Sequence, residues 1–244
     1  MVFGEEILFC KPKIKEMKKF LIFLLCLYNS TFLLSQGCPL QSVTLSSQAA
    51  VENFVVQYPD CREIVFPLTI TGDVTDLRPL LQLRRINSNL NLRDLTQLES
   101  LDGLDSVSFI SSLNIRNTAR LRSLHGLEKV KNTFFLDIIG NQALETTEGL
   151  NLDRLPNQVV IQNNNSLKIL TGVNNADSVT TLTITNNVKL QRIDIWDSLK
   201  IIRGNLLIDG NSGLKEINGL NRLKRVNGSF SIENVDSIEY LPNF

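Results

Sequence analysis

Leu206-Leu207-Ile208-Asp209-Gly210-Asn211-Ser212-Gly213-Leu214-Lys215-Glu216-Ile217-Asn218-Gly219-Leu220 is the stretch that decides the fold of this 244-residue chain. Its opening triplet alternates as a short strand does: Leu206 and Ile208 point one way and Leu207 the other. A polar turn follows around Asn211, and aliphatic residues return at Leu214, Ile217 and Leu220. The unit repeats. With the first strand residue as marker, it recurs at Leu68, Leu90, Leu113, Leu136, Val159, Leu182, Leu206 and Phe230, spaced by 22, 23, 23, 23, 23, 24 and 24 residues. Eight positions after the marker stand Leu98, Leu121, Leu144, Leu167, Leu190, Leu214 and Ile238. Fourteen positions after it stand Leu104, Leu127, Leu150, Val173, Trp196 and Leu220, most of them preceded by glycine at Gly103, Gly126, Gly149, Gly172 and Gly219. Gly204 and Gly228 lengthen the turns that give the two 24-residue spacings.

A single triplet cannot bury its own apolar face, so neighbouring units must stack. Their strands then pair in parallel about 4.8 Å apart. The expected fold is mainly β: a solenoid of about seven to eight 23-residue coils over residues 64–244. Five positions after the marker, Asn141, Asn164, Asn187 and Asn211 form a column suited to hydrogen-bonding turn backbone, coil after coil. They are expected to be a structural ladder rather than ligand contacts, because they recur with the framework. The glycines read as backbone positions needing positive φ or close packing.

This register explains the composition. The chain has 40 Leu and 25 Asn, and Asn is not normally among the commonest residues. The 25 basic and 25 acidic side chains cancel, which argues against nucleic acid as a partner. An apolar content of 43% argues against disorder.

The first 36 residues read as a leader. Phe20 to Leu34 form an apolar run behind Lys11, Lys13, Lys15, Lys18 and Lys19, the layout of a secretory signal peptide. Met17-Lys18-Lys19 abuts the run, which makes Met17 a candidate true start. A membrane anchor is the competing reading, but the uninterrupted apolar core is shorter than the roughly 20 residues a span needs. Acylation of Cys38 as a lipoprotein is disfavoured because Leu34-Ser35-Gln36-Gly37 is one residue too long for the usual box. Removing residues 1–36 leaves 20 basic and 22 acidic side chains and only two cysteines, Cys38 and Cys61. An even pair in an exported chain points to one disulfide. With His125 alone and distant, these cysteines fall short of a zinc set, so neither metal nor cofactor is expected.

Residues 37–63 are expected to cap the solenoid. Ser46 and Ser47 are candidate N-caps, Val51, Phe54, Val55 and Tyr58 make an amphipathic stripe, and Pro59 is a stop. The C-terminal end, Leu241-Pro242-Asn243-Phe244, has no comparable device, so a truncated chain or a covering partner is expected there, with attachment to a surface through a region beyond it.

The unit from Leu206 to Leu220 resembles the repeat of the receptor L-domain family, and Cys38-Pro39, Val43-Thr44-Leu45-Ser46-Ser47-Gln48 and Asp60-Cys61 resemble its exported bacterial members. The resemblance spans about residues 38–244 and rests on the repeat register. It implies a right-handed, leucine-rich-repeat-like parallel β-helix exposed at the cell surface. Thr147, Pro156 and Ile195 depart from the pattern, so coils four and six, beginning at Leu136 and Leu182, are expected to be irregular.

Chemistry has little to work with: one His, one Trp, and no metalloprotease, nucleophile-elbow or phosphate-loop motif. His125 reads as a solvated turn residue and Trp196 as core filler rather than a sugar platform. Stacking makes the outward strand residues more informative. Their first column reads Thr69, Asn91, Asn114, Asp137, Val160, Thr183, Leu207, Ser231 and their second Thr71, Arg93, Arg116, Ile139, Gln162, Thr185, Asp209, Glu233. The expected binding face is Asn91, Arg93, Asn114, Arg116, Asp137, Ile139, Val160, Gln162, Asp209 and Glu233, basic early and acidic late. Such a face suits an extracellular protein or glycan bound without catalysis. The competing readings are ordinary solvated strand residues, or a β-helical polysaccharide lyase using Arg93, Arg116 and Asp137.

Overall fold

A computed structural model describes residues 37–154, 156–172, 177–195 and 198–239. The expected leader, Trp196 and the chain end at Leu241 to Phe244 lie outside the described residues. The described residues form one compact unit.

That unit is a β-solenoid. Its main sheet contains β1 (Val43–Leu45), β2 (Glu63–Ile64), β3 (Leu68–Gly72), β4 (Arg85–Leu95), β5 (Phe109–Arg116), β6 (Phe135–Ile139), β7 (Gln158–Gln162), β10 (Thr181–Thr185), β13 (Leu206–Asp209) and β16 (Phe230–Glu233). Every pairing within it is parallel, and the markers lie side by side: Leu68 with Leu90, Leu90 with Leu113, and so on to Leu206 with Phe230. Two narrower parallel sheets line other sides of the later coils: β8 (Ile169–Leu170), β11 (Arg192–Asp194), β14 (Glu216–Asn218), and β9 (Ser178–Val179), β12 (Ile201–Ile202), β15 (Arg225–Val226).

The core is a set of columns at intervals of two or three residues. In coil two, Leu90, Leu92, Leu95, Leu98, Leu101, Leu104, Val107 and Ile110 are all fully buried. Hydrophobic burial along such columns stabilises the stack by roughly 1.5–3 kcal/mol per large side chain. Where a column turns polar, its partners are supplied. Thr147, at a Leu position, accepts from the backbone N–H of Thr171 at 2.8 Å and donates to its carbonyl at 2.8 Å, knitting coil four to coil five. Ile195 replaces glycine and is 3% exposed.

The glycine column has a steric cause. Gly103, Gly126, Gly149, Gly172 and Gly219 have φ between +99° and +111°. Gly103, Gly126, Gly149 and Gly172 also lie against the backbone of the preceding coil, so that a Cβ on Gly126 would come within 2.4 Å of the Leu101 carbonyl oxygen.

At the N-terminal end, helix α1 (Gln48–Gln57) starts where Ser47 Oγ accepts from the Ala50 N–H at 3.2 Å. Val51 and Phe54 are buried, Phe54 meets Tyr58 with ring centroids 5.3 Å apart, and the Cys38–Cys61 disulfide joins positions one coil-length apart, 23 residues. The segment does more than cap. β1 pairs with β3 and β2 with β4, so residues 43–45 and 63–64 extend the main sheet. At the other end, Leu223, Val226, Ile232, Val235 and Ile238 are only partly buried in the last described coil.

Candidate functional site

The Asn column is internal. Asn141, Asn164, Asn187 and Asn211 are fully buried. Each reaches back to the preceding coil in the same way: its carbonyl accepts a backbone N–H at the same column position, and its amide donates to a strand carbonyl. Asn164 Oδ1 accepts from Asn141 N at 2.9 Å, and Asn164 Nδ2 donates to the Ile138 oxygen at 2.9 Å. Asn187 and Asn211 repeat this toward Asn164 and Asn187. Thr118, which the sequence reading left out, is the first rung: its N–H and hydroxyl donate to Asn141 Oδ1 at 3.0 and 2.8 Å. Its place five residues after Leu113 was the available signal. These side chains have their hydrogen bonds inside the solenoid, which leaves the outward columns as the candidate surface.

On that surface the registers place Arg93 beside Arg116, Asn91 beside Asn114, and Asn114 beside Asp137. Asn114 Nδ2 donates to Asn91 Oδ1 at 2.9 Å, and Asn91 Nδ2 donates to Thr69 Oγ1 at 3.2 Å, a polar chain across three coils. Thr69, Asn91, Arg93, Asn114 and Arg116 line a concavity of about 290 Å³. Arg93 and Arg116 are exposed, whereas Asn91 and Asn114 are half-buried. Ile139, Val160, Gln162 and Asp209 are half-buried farther along, and Glu233 is exposed.

Asp137 differs from the expectation of an open outward residue. It is 9% exposed because Arg116, one coil earlier, folds over it and donates to its Oδ2, while Oδ1 is buried without a hydrogen-bond partner. Thr185, also in an outward column, is 5% exposed and its hydroxyl has no partner either. Strand alternation identifies the side of the sheet but not what a long neighbouring side chain covers.

His125 is exposed, with Nδ1 2.9 Å from Glu128 Oε1. Burial works against ionising Glu128, but hydrogen bonds with His125 and from backbone N–H groups, including Gly126, outweigh it and hold the carboxyl below its usual range. Among the described residues no three His, Cys, Asp or Glu side chains gather as a metal-holding group.

Fold and surface together define a parallel β-solenoid with an internal amide ladder and a charged outward sheet face. No family model matches this chain, and neither does any curated protein or solved structure.

Proposed function

We propose that this protein is an exported or cell-surface recognition module of the receptor L-domain type, binding an extracellular protein or glycan through the outward face of its main sheet, without catalysis. The observation that carries the reading is the concavity at Thr69, Asn91, Arg93, Asn114 and Arg116. It offers the Arg93 guanidinium, beside that of Arg116 with its Asp137 ion pair, among amide and hydroxyl groups, a donor-rich set for a carboxylate or sulfate on a partner. Export is supported by the basic-then-apolar leader and by the Cys38–Cys61 disulfide, since disulfides persist in oxidising compartments.

The test is a glycan array, including uronate-bearing and sulfated glycans, with a screen of extracellular proteins alongside. Arg93→Ala and Arg116→Ala should each weaken binding by about tenfold, in keeping with the loss of one charge-assisted contact. Product analysis of bound glycans separates this from the lyase reading: unsaturated chain ends that vanish in Asp137→Asn would establish the enzyme instead.

A further inference from the structure

A second concavity lies on the flank of the solenoid that precedes the main sheet in each coil. Ahead of the main sheet, Arg85 pairs with Phe109 and Phe109 bridges to Asn132. The same side is taken up again by Ser178, Ile201 and Arg225 in the third sheet. The coil after that of Asn132 is hydrogen-bonded to it on either side of this position, Asp153 N–H donating to the Lys131 carbonyl at 2.9 Å and Asn157 N–H to the Phe134 carbonyl at 2.8 Å. The adjoining concavity, about 790 Å³, is lined by Arg85, Phe109, Asn132, Thr133, Phe134, Asp153, Arg154 and Asn157. None of these residues lines the concavity on the outward sheet face.

We propose that this flank concavity is a binding site for a short, near-neutral oligosaccharide. Its floor is aromatic: Phe109 and Phe134 meet edge to face with centroids 5.9 Å apart at 76°, and Phe134 remains 50% exposed. Arg85 lies 4.7 Å over the Phe109 ring and 3.7 Å from Glu63, which spends its charge locally. An exposed ring held by a second ring gives a fixed apolar surface on which the C–H face of a sugar stacks. Around it, the side chains of Asn132, Asp153, Arg154 and Asn157 make no hydrogen bond or ion pair with a described residue. They supply both donors and acceptors at the rim.

The combination selects the ligand class. A purely apolar peptide segment would strip water from these four polar side chains and return nothing. A strong anion meets Asp153 and a strong cation meets Arg154. A hydroxyl-rich, uncharged ring matches both floor and rim, in a cleft of ordinary ligand-site volume.

The test uses the full chain labelled with ¹³C-phenylalanine, titrated with maltotriose, cellotriose, chitotriose, mannotriose and xylotriose, and separately with acetyl-Phe-Tyr-Phe-amide, while aromatic resonances are followed by NMR. At least one neutral trisaccharide should shift Phe109 and Phe134 together. Phe134→Ala should weaken that binding tenfold or more and Asp153→Asn severalfold, whereas Phe134→Tyr should retain it and Arg93→Ala leave it unchanged. Three results would each overturn the proposal: shifts of these two rings by the peptide alone, no shift with any probe, or saccharide binding lost in Arg93→Ala yet kept in Phe134→Ala. Because Arg93 lies on the other face, failure here leaves the sheet-face reading to its own test.

Discussion

Single residues hold this solenoid at two columns that the Leu pattern does not display. The position four residues after each marker reads Gly72, Asp94, Asn117, Gly140, Asn163, Asn186, Gly210, Asn234, and every one has φ between +49° and +79°. Only Gly, and Asn or Asp with their short polar side chains, adopt that left-handed conformation readily. The column is therefore legible in hindsight from residue type alone. Next to it stands the buried amide ladder. Asn164→Ala removes the acceptor of the Asn141 N–H and the donor to the Ile138 carbonyl, both inside the core. We expect a loss of about 2–4 kcal/mol, measured by urea unfolding; a loss under about 0.5 kcal/mol, the usual scale of surface substitutions, would contradict a structural role. Gly126→Ala combines positive φ with a close backbone approach and should cost at least about 2 kcal/mol by the same measurement.

At the scale of elements, α1 is fastened from both ends. Gln48 adds a clamp that sequence inspection did not find: its Oε1 accepts from the N–H groups of Thr75 and Asp76 at 3.1 and 3.0 Å, and its Nε2 donates to the Asp76 carbonyl at 3.2 Å. No periodicity announces it, since the partners lie 27 and 28 residues away. The disulfide closes the same region, and Cys38→Ser with Cys61→Ser should lower stability by about 3 kcal/mol in the chain-entropy model. Unchanged unfolding midpoints with and without reductant would refute this. The turns carry a pH dependence as well. Glu128 is held below its ordinary range against the opposing effect of burial, and Asp76 by its hydrogen bonds with Arg78. A carboxyl depressed in the folded state contributes stability that is present above its unfolded pKa and lost as pH falls through the folded value. The urea midpoint should therefore drop from about pH 5 to about pH 3, less steeply in Glu128→Gln; parallel profiles would show that this turn contributes nothing.

For the whole molecule, nearest-neighbour stacking means that a coil is the unit of insertion and loss. Deleting residues 119–141, one full 23-residue period, joins Thr118 to Gln142 with every column still in register. That variant should keep its β circular-dichroism spectrum and unfold cooperatively, whereas deletion of residues 119–130 should not fold, because a half period turns the aliphatic columns outward. Equal behaviour of the two variants would mean that the register is not what specifies the stack.

Repeat length, strand positions, the Leu and Asn columns and the two cysteines were readable from the sequence, because a solenoid turns a linear period directly into contact: what lies one period away is the neighbour. Tertiary structure alone decided what breaks that rule. Arg116 covers Asp137, Gln48 clamps α1 to the first coil, β1 and β2 join the cap to the main sheet, and Phe109 meets Phe134 on the flank. Each depends on where a side chain or an irregular segment lies in space, and the period carries no record of that.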